Sequence, residues 1–213
     1  MISKQPTDNA DMLWEGTKVN KLIFFLGPAG AGKTTLAKAL CQRRKAAFLD
    51  MDVLLRPAAE AIMSLHGLDP SDRDSAVYKE LCRDLGYRIT MDAALDNVAL
   101  DTDVFVIGPF TKETAVKSWI EDELQRIGRT LAEVEVKVVL VSLSSEALYR
   151  SRIEERHSPL DNWKLTNWET FSRSLGPRRL AWPIPKSSVL ELDNSNPDIS
   201  ETLETLERFI YGG

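Results

Sequence analysis

Lys33 and Thr34 stand near the end of the run Gly27-Pro28-Ala29-Gly30-Ala31-Gly32-Lys33-Thr34-Thr35, which fits the spacing G-x-x-x-x-G-K-[ST]. The chemistry open to such a run is to hold a chain of phosphates. A polyphosphate is crowded with negative charge, so several backbone N–H groups must turn inward together, and side chains would block that approach. Gly27, Gly30 and Gly32 remove those side chains. A helix opening near Lys33 adds unpaired N–H groups and the positive end of its dipole. Lys33 then reaches the β- and γ-phosphates of a nucleoside triphosphate, and the Thr34 hydroxyl ligates Mg2+. All nine residues from Gly27 to Thr35 are therefore expected to bind the nucleotide.

A second group of reactive side chains follows the run Ala46-Ala47-Phe48-Leu49, as Asp50-Met51-Asp52. With period two along a strand, Asp50 and Asp52 point to the same side, at the carboxyl end of a sheet and beside the phosphate loop. A carboxylate within hydrogen-bond reach of a hydroxyl can orient it and accept its proton. Two other kinds of phosphate-loop protein lose weight. No Asn-Lys-x-Asp run, the base-reading signature of a GTPase, occurs. The strand Val104-Phe105-Val106-Ile107 ends in Gly108-Pro109-Phe110, where a mechanical ATPase would usually carry Asp-Glu. His66 and His157 lack metal-ligand spacing and are read as surface residues.

The frame that positions these groups is legible in the apolar pattern. Leu22-Ile23-Phe24-Phe25-Leu26 is an unbroken apolar run closed by Gly27, as a strand buried on both faces reads. Comparable runs lie at 46–49, 104–107, 136–143 and 189–192, and helical spacing fills 34–45, 57–65, 75–100, 111–127, 146–157 and 199–211. The alternation predicts an α/β fold of three layers, with a parallel five-stranded sheet and helices on both faces. Within 75–100 the expected buried stripe is Val77, Leu81, Leu85 and Ile89, which places Arg83 and Tyr87 on the opposite face. The stretch 158–186, with Pro159, Pro177, Pro183, Pro185 and three tryptophans, breaks the alternation and is expected to form a mobile flap.

The chain has 213 residues, with 43% apolar and 28% charged residues, the composition of one ordinary folded domain. Residues 1–17 are largely polar, with Met12, Leu13 and Trp14 as a small apolar island, and are expected to be a flexible segment ahead of a domain at 18–213. A net charge of −5 and a pI near 5.2 argue against a protein that coats nucleic acid or anionic lipid. Cys41 and Cys82 are expected as free thiols. The absence of a secretion signal or an apolar membrane span predicts a cytoplasmic protein, a monomer or homodimer without membrane partners.

On the phosphate loop, the acids after the second strand and the order of elements, the chain resembles the small-molecule kinases of the phosphate-loop class. These include shikimate and gluconate kinases, chloramphenicol phosphotransferase-like enzymes and zeta toxins. The resemblance implies transfer of the γ-phosphoryl group of Mg-ATP to a hydroxyl of a small molecule, with ATP and Mg2+ as cofactors and a small hydroxyl-bearing acceptor as partner. It also implies that Asp52, or Asp50, meets the acceptor hydroxyl and serves as its base, and that Asp52 joins Thr34 at the metal. A lid over about 150–186 would carry arginines that close on ATP, of which Arg152 and Arg156 share one helix face. Helices between the second and third strands would cover the acceptor, making Arg56, Arg73, Arg83 and Tyr87 its candidate contacts, with Phe110 as a pocket wall. Asn194, after the last strand, holds the place that contacts adenine in related folds. The chain departs from these families in lacking an adenylate-kinase-like lid pattern and an acid on the third strand. Two other outputs remain open: a regulatory ATPase that acts through a protein partner, and a kinase of a nucleotide-sugar or a nucleic-acid end.

Overall fold

The computed structural model describes residues 19–176 and 178–212, so the expected N-terminal segment at 1–17 lies outside the described residues. Strands β1 (Asn20–Leu26), β2 (Ala47–Asp50), β3 (Val104–Gly108), β4 (Val134–Ser142) and β5 (Val189–Asp193) form one parallel sheet in the order β2-β3-β1-β4-β5. The helices are α1 (Lys33–Arg43), α2 (Met51–Leu65), α3 (Ala76–Leu81), α4 (Arg83–Ala99), α5 (Trp119–Gln125), α6 (Glu146–Glu155), α7 (Asn162–Thr166), α8 (Trp168–Ser172) and α9 (Ser200–Tyr211).

Both faces of the sheet are covered, which is why its central strands carry no polar alternation. Leu22, Phe24 and Leu26 of β1 join Val104, Val106, Val136 and Val138 beneath α4 and α5. Ile23 and Phe25 join Phe105, Ile107, Val139 and Val141 beneath α1 and α9. The carboxyl ends of β1, β2 and β3 therefore open at one edge, where β1 lies between β3 and β4 and the chain direction of the connections reverses.

Several local expectations change. The strand β2 stops at Asp50, and α2 begins at Met51 rather than at Pro57. Asp50 caps it, its side chain accepting the Asp52 N–H at 3.0 Å. Pro57 lies inside the helix, at an exposed position where water can serve the carbonyl that its missing N–H leaves free. Residues 75–100 form two helices with a break at Cys82. Their expected apolar stripe is not the buried one: Val77 and Leu85 are 43% and 38% exposed. The buried face of α4 is Gly86, Tyr87, Thr90, Met91, Ala94, Leu95 and Val98. Gly86 explains the register, because a Cβ there would lie 2.7 Å from Leu55 Cδ2, so α2 packs directly on the α4 backbone. The 111–127 segment is a 3-10 turn at Glu113–Ala115 followed by the short α5.

The stretch 150–186, expected to carry a flap, holds the end of α6 and the short helices α7 and α8. Its C-terminal part is fixed in the core by Trp182, 5% exposed, which stacks on Trp119 at 5.2 Å and donates from Nε1 to the Glu113 carbonyl at 2.9 Å. Trp168 donates to Glu146, and Lys79 lies 5.7 Å over Trp163, so both indoles pack the flap. Because Trp182 fills core volume and satisfies a buried donor, Trp182→Ala should cost about 3–5 kcal/mol of stability in urea denaturation. A loss below about 1 kcal/mol would place the 181–185 segment outside the folded core.

Candidate active site

The loop after β1 is shaped by positions that no side chain can occupy. Gly27 has φ +149, and a Cβ on it would lie 2.2 Å from the Val141 carbonyl oxygen, a backbone atom that cannot yield. Gly30 and Gly32 also adopt positive φ, at +85 and +93. Lys33 opens α1, and its Nζ donates to the Pro28 carbonyl at 2.7 Å, folding the side chain across the loop. Ala31 N–H donates weakly to the same carbonyl at 3.4 Å. The loop is thus held as an arch in which the Gly30 and Gly32 N–H groups have no acceptor among the described residues.

Thr34 Oγ1 donates to Asp50 Oδ2 at 2.8 Å. Asp50 is buried, and its other oxygen is the cap of α2, so both oxygens serve the protein. Asp52 stands in the first turn of α2 rather than on a strand, and among the described residues its carboxyl makes no hydrogen bond or ion pair. The residue is open to solvent in the crevice, yet desolvation by the surrounding fold raises its pKa. The Asp50 charge raises it further, against the opposing pull of Lys33, Lys164 and Arg156. Burial lowers the Lys33 pKa to about 8; Asp52 and Asp50 oppose that fall, and Arg178 and Arg156 reinforce it. Thr34 and the two carboxylates are hard oxygen donors of the kind Mg2+ takes alongside water and phosphate oxygens.

Cations ring this crevice. Arg152 donates to the Asn194 carbonyl at 2.8 Å and lies close to Gly32. Arg156 pairs with Asp161 at 3.2 Å, and Lys164 bridges Asp161 and Asp74 at 3.2 and 3.0 Å. This chain of charges lays α7 against the loop before α3, beside Asp52. Arg150 is turned away, paired with Glu154 at 2.9 Å.

The acceptor candidates separate. Arg56 is exposed on α2. Arg73 is spent on the α2–α3 connection, donating to the Pro70 and Asp72 carbonyls and lying 5.4 Å over Tyr78. Arg83 forks onto Glu113 with two bonds of 3.1 Å and lies 4.4 Å over Tyr87. Tyr87 is buried, not on an open face, and meets Phe110 edge-on at 4.7 Å. Phe110 is fully buried with φ +41, among Phe24, Tyr87 and Trp119, and so is a core ring that fixes the turn after β3 rather than an open wall. Asn194 is buried beneath the loop, its amide turned onto Ala31. His66 and His157 are exposed, and Cys41 and Cys82 are free.

Arg178 is a member of the site that the sequence pattern did not single out. It is half-buried, makes no ion pair among the described residues, and donates only to the Pro109 carbonyl, at 3.2 Å. Its Nε is shielded without a partner. Burial lowers its pKa, with Tyr87 and Tyr149 opposing, and its charge acts on Lys33. The only signal in the sequence is the pair Arg178-Arg179 in the flap; nothing there shows that the first turns inward and the second outward.

A glycine arch between a buried strand and a helix, with a lysine, a threonine and two aspartates at the sheet's carboxyl edge, defines a phosphate-loop nucleotide-binding protein of the kinase fold. The chain belongs to the AAA domain family, which matches residues 22–177. Among solved structures it is similar to a sugar kinase from Janibacter sp., with a TM-score of 0.57 and 16% identity over 92% of this chain and 97% of that one. A Chloroflexus aurantiacus protein provisionally described as a kinase matches with a TM-score of 0.59 and 18% identity over 90% and 99% of the two chains. Among curated proteins, the cytidylate kinase of Limosilactobacillus reuteri is 23% identical over 86% of this chain and 92% of its own. That of Corynebacterium efficiens is 31% identical over 53% and 50%. No helix among the described residues is long and apolar enough to cross a membrane.

With a pKa near 8, Lys33 is charged below that pH and loses its charge as the pH rises through it. Affinity for a nucleoside triphosphate, titrated calorimetrically, should fall between about pH 7 and about pH 9, by up to roughly tenfold per unit above the transition. Lys33→Arg keeps its charge throughout that window and should flatten the profile. The same slope in both proteins would show that another group titrates.

Proposed function

We propose that the protein is a phosphotransferase that moves the γ-phosphoryl group of Mg-ATP to a hydroxyl of a small acceptor. The observation that carries this reading is that Asp50 commits both oxygens to Thr34 and α2, while Asp52 keeps a free carboxyl beside Lys33. A carboxyl in that place can take the proton of an acceptor hydroxyl, and whether the acceptor is an alcohol or water is what the dependence of ADP release on added acceptors decides.

The loop from Gly27 to Thr34 would hold the phosphates, with Lys33 swinging from Pro28 onto the transferred group. Thr34, its hydroxyl oriented by Asp50, would hold Mg2+ with Asp52 at the edge, and the ion would supply charge neutralisation on the phosphates. Asp52 would orient the acceptor hydroxyl and take its proton while the new oxygen–phosphorus bond forms and the bond to the β-phosphate breaks, leaving ADP. Its raised pKa suits a proton acceptor better than an ordinary surface aspartate would. Arg152 and Arg156, at the mouth of the crevice, would counter charge on the moving phosphoryl group, and α7 would exclude water.

A second reading keeps this chemistry and makes the acceptor anionic, a nucleoside monophosphate for example. Arg178 favours it, as a cation held in the crevice without a carboxylate. The similarity to cytidylate kinases points the same way.

The test is ADP release from Mg-ATP with sugars, sugar acids, nucleosides, aminoglycosides, phenicols and nucleoside monophosphates, with Lys33→Ala as the blank. One acceptor class should stimulate release, and the blank should show none. Asp52→Asn should bind ATP within about twofold of the unmodified protein and lose roughly 100- to 10,000-fold in turnover. Arg178→Met should raise KM for an anionic acceptor by about tenfold or more and leave a neutral acceptor unaffected. Release that no acceptor changes would overturn the phosphotransferase reading in favour of a regulatory ATPase.

A further inference from the structure

Asn194 follows β5 directly and is 3% exposed, yet it sits against the phosphate loop across the sheet edge. Its Nδ2 donates to the Ala31 carbonyl at 2.9 Å. Only the NH2 half of the amide can face a carbonyl oxygen, so this contact sets the orientation of the side chain. The residue is itself pinned twice through its backbone: its N–H donates to the Ser142 carbonyl at 2.9 Å, and its carbonyl accepts from Arg152 Nη2 at 2.8 Å. The amide also fills the space where Gly32 has no side chain, since a Cβ on Gly32 would lie 2.3 Å from Nδ2. Asn194 Oδ1 is shielded and has no donor among the described residues, where the NH2 half alone gives this side chain its hydrogen bond.

The consequence follows from the geometry of one peptide unit. No described peptide bond is cis, and in a planar trans unit the carbonyl and the following N–H point in opposite directions. Holding the Ala31 carbonyl outward, against the end of β5, turns the Gly32 N–H to the inside of the arch. That N–H has no acceptor among the described residues. The flanking conformation is one a glycine peptide would leave readily, because Gly32 crosses φ regions at little cost.

We infer that Asn194 is a positioning residue which clamps the Ala31–Gly32 peptide so that the Gly32 N–H faces the bound polyphosphate, and that it does not read the base. The clamp connects the loop to Arg152 through the Asn194 backbone, so the cation at the crevice mouth and the N–H inside the arch are set by one residue. This inference rests on the loop being a polyphosphate cradle.

The test compares three ligands by calorimetry: ATP, inorganic tripolyphosphate, which has no base, and adenosine, which has no phosphate. In Asn194→Ala, ATP and tripolyphosphate should both bind about tenfold more weakly, by the same factor, and adenosine should compete as well as it does against the unmodified protein. Weaker ATP binding with unchanged tripolyphosphate would assign Asn194 to the base and overturn the clamp. A lower melting temperature with all three affinities unchanged would overturn it in favour of a purely structural role. Should Asn194→Ala fail to fold, Asn194→Ser keeps a polar group in the buried position but is too short to span to Ala31, and the same comparison applies. Failure of the unmodified protein to bind either ATP or tripolyphosphate would bring down the cradle itself, a result distinct from loss in the variants alone.

Discussion

The bonds that Asp50 makes are the constraint on which the site depends. One oxygen receives the Thr34 hydroxyl from the first turn of α1, and the other receives the N–H of Asp52 from the first turn of α2. Two helix N-termini, each with unpaired N–H groups and a positive dipole end, are thereby brought to one buried carboxylate. The geometry sets the distance between the phosphate loop and the Asp52 carboxyl. It also explains why a strand of only four residues, β2, can carry a functional edge: its last residue is tied on both sides. Had Asp50 been free and Asp52 capped, the spare carboxyl would point back at the protein rather than into the crevice.

Charge is the second organising term. Lys33, Arg152, Arg156, Lys164 and Arg178 surround the crevice, and the described acids beside them are Asp50, Asp52, Asp74 and Asp161. Two of the cations, Arg156 and Lys164, are neutralised by Asp161 and Asp74, which docks α7 near Asp52. Arg178 has no carboxylate partner among the described residues. The lowered pKa of Lys33 is the electrostatic sign of this crowding: with burial the chief cause, further positive charge from Arg178 and Arg156 makes its proton easier to lose. A polyanion entering such a crevice reverses that cost, because it supplies the countercharge that the fold withholds.

Much of this architecture was legible in the sequence, and the part that was not has identifiable causes. The apolar runs gave five strands and the parallel class, because a strand buried on both faces leaves no alternative reading of Leu22 to Leu26. The phosphate loop is legible for a different reason: its three glycines all adopt positive φ, and a Cβ on Gly27 or Gly32 would lie 2.2 Å from the Val141 carbonyl oxygen or 2.3 Å from Asn194 Nδ2. The two acids are legible but their geometry is not: period two does not extend past Asp50, which ends β2 and caps α2, and a cap and a strand residue look identical in sequence. Pro57 suggested a helix start, and only the capping bond shows that α2 begins six residues earlier. Tyr87 was assigned outward by periodicity, whereas Gly86 lets α2 approach and turns that face inward. The periodicity of a single helix carries no record of its neighbour's closest approach. The side-chain direction of Arg178, in an irregular segment, has no periodic signal at all.

The end of β3 shows how the fold manages without an acid at that edge. Gly108 takes the place after Ile107, and a Cβ on it would press within 2.9 Å of the Phe110 ring. Phe110 in turn holds a left-handed backbone, φ +41, a conformation that a bulky residue adopts only when its surroundings dictate it. Its ring is locked edge-on among Phe24, Tyr87 and Trp119, and its carbonyl accepts the Thr114 N–H at 3.0 Å. The strained turn presents the Pro109 carbonyl to Arg178. Where another phosphate-loop protein would place a carboxylate, this chain places a backbone carbonyl that orients a cation without neutralising it. Arg178 is thus held by a carbonyl rather than by a carboxylate, and the aromatic core beneath β3 fixes the turn that presents that carbonyl.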